Sequence, residues 1–546
     1  MIIHESRNSA FRRPFGAAEV SVPIFLMAEC PGAVEMRLRL HTFTGEDRIL
    51  PMDAEENGRF SVTFPAPKNP CVLWYSFLAE GEESPRWQIT VYRPAAVPAW
   101  WKDAVVYQIF PDRFARESDW QPQEPEKRKG SHRFLIRDWD TPVFYPRAED
   151  NAVSSWPFWG GTLRGIQEKL PYLRSLGVTA LYLNPIFEAK SNHRYDTADY
   201  TRIDPLLGTE ADFVALCAAA EEQGMHIILD GVFNHTGNDS IYFDAYGNYG
   251  TAQQYKSWFR FGEQYRHGYE CWWDVPDLPN VEENDPSYRE FLCGEEGIIR
   301  RWLRRGASGW RLDVADELPD SLIADIRAAM KTERPDSLLM GEVWEDASNK
   351  VSYSQLREYF LGNELDCTMH YPFREIALDF LQGRCHARKA CDRLWELKEH
   401  YPRENLYAAM NLIGSHDRER TLTLFQGDKR LLKQAFFLQF VLPGVPCIYY
   451  GDEAGMTGGP DPYNRGPFPW GREDRELTDY LTELTDLYAA HPVLKDGEYE
   501  PVAFGEDVLG CRRWDSREST VALVNRSDWD IECFGTIVPA HGWALG

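Results

Sequence analysis

The hydrophobic pattern of the first hundred residues is that of short strands. Five apolar runs of strand length are separated by turn-rich pieces such as Gly45-Glu46-Asp47: 20–27, 33–40, 59–64, 72–78 and 87–92. This spacing predicts an N-terminal β-sandwich over residues 1–96. A proline-rich joint at 93–98 follows, so we place a domain boundary there.

From about residue 100 the pattern changes to strands that alternate with amphipathic helices. One predicted helix covers 163–176 and ends at Gly177, and another begins after Thr209, with Asp212 three residues later as in a capping box. Eight strand-like segments are expected: 104–110, 180–186, 227–234, 309–315, 338–344, 365–370, 409–415 and 446–451. Eight such repeats predict a (β/α)8 TIM barrel over residues 97–494.

Two further segments complete the predicted multidomain α/β architecture. The irregular, aromatic-rich stretch at about 235–290 is expected to form a domain B, inserted after barrel strand 3. Apolar runs at 502–509, 520–525 and 530–538 predict a short C-terminal β-domain over residues 495–546.

Composition narrows the class of protein. The formal net charge of -26 argues against nucleic acid or an anionic membrane as the main partner. The sequence holds no apolar run long enough for a transmembrane helix, and residues 1–8 lack the basic-then-apolar pattern of a secretory signal. The eleven cysteines are scattered without a Cys-x-x-Cys pair, which indicates reduced thiols and a cytoplasmic protein.

Polar residues gather where the predicted barrel strands end, and the C-terminal ends of these strands form the active site of such barrels. These residues are Tyr107, Asp230, Asn234, His235, Arg311, Asp313, Glu342, His416 and Asp417. Each alone has an ordinary structural explanation, and Arg311 with Asp313 alone would be a buried ion pair. The three carboxylates Asp313, Glu342 and Asp417 together at one barrel mouth are harder to explain in this way.

Two kinds of chemistry fit these carboxylates. Like charges in proximity raise at least one pKa, which yields a protonated acid and an ionised nucleophile, as glycoside hydrolysis requires. The alternative is a divalent metal cluster of the amidohydrolase type, with ligands from Asp230, His235, Asp313, Glu342, His416 and Asp417. Against the metal, no His-x-His follows strand 1, and Arg311 beside Asp313 suits the stabilisation of an anion.

Four segments resemble, in order and position, the signature regions of the α-amylase family of glycoside hydrolases: 230–235 (DGVFNH), 309–313 (GWRLD), 341–344 (GEVW) and 414–417 (GSHD). The flanking segments 106–114, 158–166 and 191–196 agree with the same family. The resemblance covers roughly residues 100–470.

The resemblance implies the roles of the catalytic residues. Asp313 would be the nucleophile that forms a β-glycosyl intermediate, and Arg311 would keep it ionised. Glu342 would be the general acid and then the general base that activates water. Asp417 would bind sugar hydroxyls and distort the ring, and the mechanism would retain the anomeric configuration.

The same resemblance implies how the substrate is held. His193, His235 and His416 would hydrogen-bond the sugar in subsite −1, and Tyr107 would stack beneath that sugar. Asp230 would support the site. No cofactor is expected to be required, because residues 115–120 lack the Asn/Asp/Gly-rich loop that often binds calcium there; Asn234 is the one candidate position for a metal ion.

Other details resemble one subgroup, the neopullulanases, cyclomaltodextrinases and maltogenic amylases. These are the N-terminal β-domain, the GSHD and GEVW motifs, and the segment 461–465 that ends in Arg465. Trp344 and Glu317 would lie toward the leaving-group side. The subgroup also implies a homodimer in which the N-terminal domain covers part of the partner's site.

The sequence therefore predicts a retaining hydrolase of α-1,4 glucosidic bonds, with activity on α-1,6 bonds left open. Its substrates would be maltooligosaccharides, cyclodextrins or pullulan, with some transglycosylation. Asp316 stands where the resemblance expects Asn, which leaves the preference on the leaving-group side open. A dedicated α-glucosidase or 4-α-glucanotransferase is the alternative, and a non-catalytic glucan-binding protein is a third reading.

Overall fold

The computed structural model describes residues 1–149 and 152–546. The N-terminal part is a sandwich of two mainly antiparallel sheets. One sheet contains the strands Arg12–Arg13, Pro23–Glu29, Arg59–Pro65 and Asp53–Ala54. The other contains Ala18–Glu19, Trp87–Tyr92, Cys71–Ala79, Arg37–Thr42, Asp47–Pro51 and Glu82–Glu83. Their inner faces enclose an apolar core around Leu26, Leu38 and Phe77, as the strand pattern predicted.

The central part is the predicted barrel. In the described part of the chain, eight parallel strands pair with their neighbours in chain order: Val106–Ile109, Ala180–Leu183, His226–Gly231, Gly309–Leu312, Leu338–Gly341, Cys367–Thr368, Met410–Leu412 and Val445–Tyr449. The first and last strands pair with each other, and a single bridge between Met369 and Met410 closes the ring between strands six and seven. The (β/α)8 fold is thereby confirmed.

Helices surround these strands. The main ones are Leu163–Glu168, Leu170–Ser175, Glu210–Glu222, Pro286–Cys293, Ile298–Arg304, Asp320–Glu333, Tyr371–Leu381, Ala387–His400, Arg403–Ala408, Lys429–Val441 and Arg475–Ala490, with short turns at Ala99–Lys102, Pro111–Phe114, Thr421–Leu424 and Val493–Asp496. The capping box of Thr209 and Asp212 is present. The helix predicted over 163–176 is two helices, because the chain leaves helical geometry at Lys169 before Pro171.

The barrel separates two apolar cores. Alternate strand residues such as Val106, Tyr182 and Met340 fill the barrel interior. Their neighbours, such as Tyr107 and Leu181, face the surrounding helices instead. This alternation decides which strand residues can reach the barrel mouth.

Segments without long regular elements lie beside the mouth. The stretch expected to form domain B has 3-10 turns at Lys256–Trp258 and Trp272–Asp274 and several isolated bridges. Shorter pairs are Arg133–Leu135 with Trp156–Phe158, Phe187–Ala189 with Thr197–Ile203, and Val351–Ser352 with Gln355–Leu356. The limits placed at 235–290 stay predictions.

The C-terminal part is a four-stranded sheet of Glu498–Phe504, Val508–Trp514, Ser519–Asn525 and Trp543–Leu545, with a hairpin of Ile531–Cys533 and Thr536–Val538. The run 502–509 that we predicted as one strand spans a turn, in which Gly505 has φ of 60°. The domain limits placed at 96 and 494 stay predictions. Within residues 1–149 and 152–546, the helices are too short or too polar to traverse a lipid bilayer.

Candidate active site

A cavity of about 660 Å³ opens at the C-terminal ends of the barrel strands. Its lining includes nine of the residues predicted from the sequence: His193, His235, Asp313, Glu317, Glu342, Trp344, His416, Asp417 and Arg465. Asp230 and Arg311 are buried directly behind this lining. Tyr107 and Asn234 are not part of the lining.

The Arg311 guanidinium connects the carboxylates of the site. Its Nη1 donates to Oδ1 of Asp230 at 2.6 Å and to Oδ1 of Asp313 at 2.8 Å. Its Nη2 lies 2.9 Å from Oε2 of Glu342, an ion contact without hydrogen-bond geometry. A guanidinium thus occupies the place among these acids that a metal ion would need. The arrangement contradicts the metal-cluster alternative.

Burial and neighbouring charges shift the pKa values of Asp313 and Arg311 in opposite directions. Burial raises the pKa of Asp313 well above its ordinary value, and the Arg311 guanidinium opposes that rise. Burial would lower the pKa of Arg311, but the carboxylates of Asp230 and Glu342 outweigh it and raise that pKa. The pKa of Asp417 is raised to about 7 by burial and then by the charge of Glu342. Arg311 is therefore the main influence that favours an ionised Asp313.

The strand that carries Asp313 ends earlier than predicted. The expected strand 309–315 stops at Leu312, and Val314 has φ of 39° and ψ of 54°, a left-handed conformation that is rare for a β-branched residue. The turn directs the Val314 amide to Oε2 of Glu342 at 2.8 Å. Backbone strain of this kind is commonly found at functional sites.

Trp344 fixes the other oxygen of Glu342. Its indole Nε1 donates to Oε1 at 2.9 Å. The indole stacks on the Tyr371 ring at 4.3 Å between centroids, and the Arg418 guanidinium lies 4.1 Å from the indole centroid. Both oxygens of Glu342 are therefore held by donors from rigid surroundings.

Burial favours the neutral form of the three histidines of the cavity. Burial lowers the pKa of His193 and His416 well below the ordinary value, and it lowers that of His235 to about 4. His416 lies between two polar side chains: Nδ1 is 2.8 Å from the Gln108 amide nitrogen, and Nε2 is 2.5 Å from the Tyr195 hydroxyl. Neutral imidazoles can hydrogen-bond sugar hydroxyls without adding charge.

The prediction that Tyr107 stacks beneath a bound sugar is wrong. Tyr107 is fully buried on the helix-facing side of its strand, where its hydroxyl donates to Glu453 at 2.6 Å. Gln108, the next residue along the strand, faces the barrel interior instead. The ring available to a sugar is Tyr195, which lines the cavity, stacks with His416 at 5.3 Å and 7°, and donates to Asp230 at 2.8 Å.

Sequence reasoning thus missed Tyr195, Gln108 and Trp272. Tyr195 and Gln108 lie within segments quoted for the family resemblance, 191–196 and 106–114, so the alternation along strand 1 and a comparison with 191–196 could have found them. Trp272 stacks on His235 at 5.4 Å from an irregular segment, and no sequence pattern indicated that contact.

One wall of the cavity includes Asp316 and Glu317 together with Trp273 and Lys350. Tyr353 donates its hydroxyl to the Glu317 carboxylate, and the indole Nε1 of Trp273 lies 3.5 Å from it. Lys350 forms an ion pair with Asp316 at 3.0 Å. These exposed aromatic rings and carboxylates suit contacts with a sugar outside the buried end of the cavity.

On the opposite side, Arg465 lies 3.5 Å from Asp417 and forms an ion pair with Asp461 at 2.9 Å. His416 Nε2 lies 3.0 Å from the second Asp417 oxygen. The Asp417 carboxylate is therefore oriented by two neighbours at the rim of the cavity.

The prediction that Asn234 is a candidate position for a metal ion stays a prediction. The Asn234 amide lies 3.2 Å from Nδ1 of His235. The Lys190 ammonium donates to Asn238, four residues after Asn234, and pairs with Asp277, both at 2.8 Å. Among the described residues, the set of acidic, His and Cys side chains close enough to share one ion is His267, Cys271 and Asp274.

Comparison with known proteins places this site in a family. Residues 108–491 match the family model of the α-amylase catalytic domain. An amylopullulanase of Thermoanaerobacterium saccharolyticum is 34% identical over 93% of this chain and 46% of its own length. A cyclomaltodextrinase of Geobacillus thermopakistaniensis is 36% identical over 79% of this chain and 70% of its own.

A solved structure agrees. The cyclic α-maltosyl-(1→6)-maltose hydrolase of Arthrobacter globiformis, in complex with that sugar, superposes with a TM-score of 0.73 at 30% identity over 83% of this chain and 99% of its own. The present chain spans less than half the length of the amylopullulanases it matches. The resemblance inferred from the sequence motifs is confirmed, and the chain belongs to the α-amylase family of glycoside hydrolases.

Proposed function

We propose that the chain is a retaining α-glucan hydrolase that cleaves α-1,4 glucosidic bonds. The observation that carries the proposal is the single Arg311 guanidinium that contacts both Asp313 and Glu342. Two carboxylates gathered on one guanidinium favour the short separation of retaining enzymes, about 5–5.5 Å, over the wider spacing of inverting ones.

In the first step Asp313 attacks the anomeric carbon. Its Oδ1 is engaged by Arg311, which leaves Oδ2 as the attacking atom. The bond from this oxygen to carbon forms while the glucosidic carbon–oxygen bond breaks, and Glu342 gives its proton to the leaving oxygen. Asp417 and His416 hold hydroxyls of the distorted sugar, which lies on Tyr195.

In the second step the ionised Glu342 takes a proton from water, and the water oxygen attacks the same carbon. The Asp313–sugar bond breaks, so Asp313 leaves as a carboxylate held by Arg311. A sugar hydroxyl in place of water gives transglycosylation. Glu317 and Trp273 line the cavity, Tyr353 is hydrogen-bonded to Glu317, and this arrangement supports such an acceptor. The name of the related cyclomaltodextrinase supports a cyclodextrin among the substrates.

The test is Asp313→Asn, which keeps the shape of the side chain and removes the nucleophile. We expect a loss of at least about 10³-fold in kcat/KM, or about 4 kcal/mol of transition-state stabilisation. Asp316→Asn is the matched control, since that carboxylate lies on the same wall but is paired with Lys350, and it should lose less than about tenfold. Substantial hydrolysis by Asp313→Asn would refute the assignment.

The substrate range follows from one comparison of digests. Cyclodextrin, pullulan, starch and maltotriose are incubated side by side, and the products are sized. Cleavage of pullulan to panose or to maltotriose distinguishes attack on α-1,4 from attack on α-1,6 bonds. Maltotriose with and without an added acceptor separates a hydrolase from a dedicated α-glucosidase or 4-α-glucanotransferase.

The assembly and location belong to the same proposal. We expect a cytoplasmic homodimer in which the N-terminal sandwich covers part of the partner's cavity; the scattered cysteines support the location, since all eleven are free thiols. Light scattering should give about twice the chain mass of 63.1 kDa. A particle of one chain mass at micromolar concentration would contradict the dimer.

A further inference from the structure

The N-terminal sandwich makes a buried polar contact with a loop that lines the active-site cavity. Gln88 lies on the strand Trp87–Tyr92 and is 2% exposed. Its carbonyl Oε1 accepts from the Asn349 amide at 2.7 Å, and its Nε2 donates to the Ser348 hydroxyl at 2.9 Å. One side chain of the sandwich therefore contacts two successive residues of the loop 345–350.

The loop is also held from within. The Asp346 carboxylate accepts from the Ser348 amide at 2.9 Å and from its hydroxyl at 2.6 Å, and it lies 2.7 Å from Nδ1 of His400. The amide of Ala347 donates to the Tyr401 hydroxyl at 3.1 Å. These bonds attach the start of the loop to the barrel, while Gln88 attaches its middle to the sandwich.

Both ends of the loop lie in the cavity wall. Glu345 and Lys350 line the cavity, and Lys350 pairs with Asp316 at 3.0 Å, next to Glu317. Behind the loop, a second cavity of about 500 Å³ lies between Trp74, Gln88, Asn349 and His400. Because this space is open, hydrogen bonds rather than close packing fix the loop on that side.

We propose that Gln88 is a positioning residue for the active site. It holds the loop 345–350, and through Lys350 it holds the wall of Asp316 and Glu317 where the leaving sugar or an acceptor binds. The sandwich thereby contributes to substrate selection within its own chain. The expected change in KM rests on the proposed function, whereas the expected change in hydrogen exchange does not.

The test compares Gln88→Met with Gln434→Met by hydrogen exchange of the full chain. Met keeps the length of the side chain and removes its hydrogen bonds to Ser348 and Asn349, together with one to Thr90 on the same strand. Gln434 is a matched control, because it is equally buried and bridges the barrel helix Lys429–Val441 to the C-terminal sheet through Asn525 and Gly542. We expect amides of 345–350 to exchange about tenfold faster in Gln88→Met alone.

The kinetic readout is a split between KM and kcat. For maltotriose, Gln88→Met should raise KM about three- to tenfold with kcat changed less than twofold, because binding at the wall is lost while Asp313 and Glu342 are untouched. Gln434→Met should alter neither. Equal exchange of 345–350 in both variants, or a fall in kcat alone, would overturn the proposal.

A second variant tests whether the effects of Gln88→Met come from misfolding of the sandwich. Asn349→Ala removes the contact from the loop side, so the sandwich strand stays intact, and it should reproduce the faster exchange and the higher KM. If Asn349→Ala leaves both unchanged, the proposal fails. If the wild-type chain shows no glycosidase activity, the proposed function fails, while the exchange comparison still decides whether Gln88 holds the loop.

Discussion

The backbone amide of Val314 donates a 2.8 Å hydrogen bond to Oε2 of Glu342, so the chain just after Asp313 positions the carboxyl group on the neighbouring strand. Nucleophile and acid are thus joined through one strand end as well as through Arg311. The residue that carries this amide has a left-handed φ of 39°. A conformation that is costly for valine is kept where it serves the geometry of catalysis.

Val314→Gly should separate stability from activity. A left-handed conformation costs a non-glycine residue about 1–2 kcal/mol, and glycine adopts it freely. Removal of this strain offsets part of the packing lost with the valine side chain. We therefore expect the variant to lose less than about 1 kcal/mol of unfolding free energy. Activity should fall about tenfold, because the amide is no longer restrained toward Glu342. Chemical denaturation and kcat/KM are the measurements.

Val178→Gly serves as the reference for stability, since Val178 is fully buried, distant from the cavity and not among the residues with positive φ. It should lose about 3 kcal/mol from lost burial and added chain freedom. A similar loss in both variants would show that Val314 stores no strain.

Tyr353→Phe should change the fate of the glycosyl intermediate. The hydroxyl of Tyr353 donates to the Glu317 carboxylate, and its loss frees that carboxylate to move away from a bound acceptor. The ratio of transfer to hydrolysis with maltotriose should fall about threefold, or about 0.7 kcal/mol. Tyr463→Phe removes the hydroxyl of another exposed tyrosine, which is 52% exposed against 71% for Tyr353 and lies near Asp461 and Arg465 rather than beside Glu317, and it should keep the wild-type ratio. The same fall in both variants would exclude a specific role for Tyr353.

Glu453→Gln should alter the dependence of stability on pH. Burial raises the pKa of Glu453 to about 7 from an ordinary value of 4.5. A carboxyl with a raised folded-state pKa contributes stability below its unfolded pKa, and this contribution is lost as the pH rises through the folded pKa. The wild type should therefore lose stability relative to the variant between about pH 4.5 and pH 7.

The measurement is the unfolding midpoint of both proteins at pH 5 and pH 8. The variant keeps an oxygen that can accept from Tyr107 and Tyr172, so its midpoint should gain on the wild type at pH 8. If the two midpoints differ by the same amount at pH 5 and at pH 8, the raised pKa of Glu453 is contradicted. Glu476→Gln, at an exposed carboxylate of lowered pKa, should change with pH in the opposite direction.

Chelation should leave the protein unaffected. The oxygens of Asn238 and Asp277, near the irregular segment after strand 3, already bind the Lys190 ammonium. Because this positive charge neutralises the Asp277 carboxylate, we expect that no metal ion is needed there. Dialysis against EDTA should change neither the unfolding midpoint nor kcat/KM. Recovery of lost activity by added calcium would show that a metal ion is required.

The sequence predicted the barrel well because its strands are buried on both sides and are separated by clear helix signals. Thr209 with Asp212 and Gly224 mark both ends of one helix, and the structure keeps them. The helix over 163–176 was predicted as continuous, since its apolar spacing does not reveal the break at Lys169.

The site was predicted where chemistry coincides with strand ends, as at Asp313, Glu342 and Asp417. Site residues were missed where the face of the strand on which a side chain lies decides its role. Tyr107 and Gln108 are neighbours that the alternation sends to opposite faces of strand 1, and both faces of that strand are buried. Contacts between distant segments, such as Gln88 with Asn349, leave no trace in the local pattern.

The closure of the barrel has a mechanical consequence. Strand six is the two-residue Cys367–Thr368, and the ring is completed by one bridge, with the His370 amide donating to Met410 at 2.9 Å. Were this seam to part, the ring would become an open sheet with Glu342 near one edge and Asp417 near the other. The relative placement of the two carboxylates therefore depends on this short seam as well as on the strands that carry them.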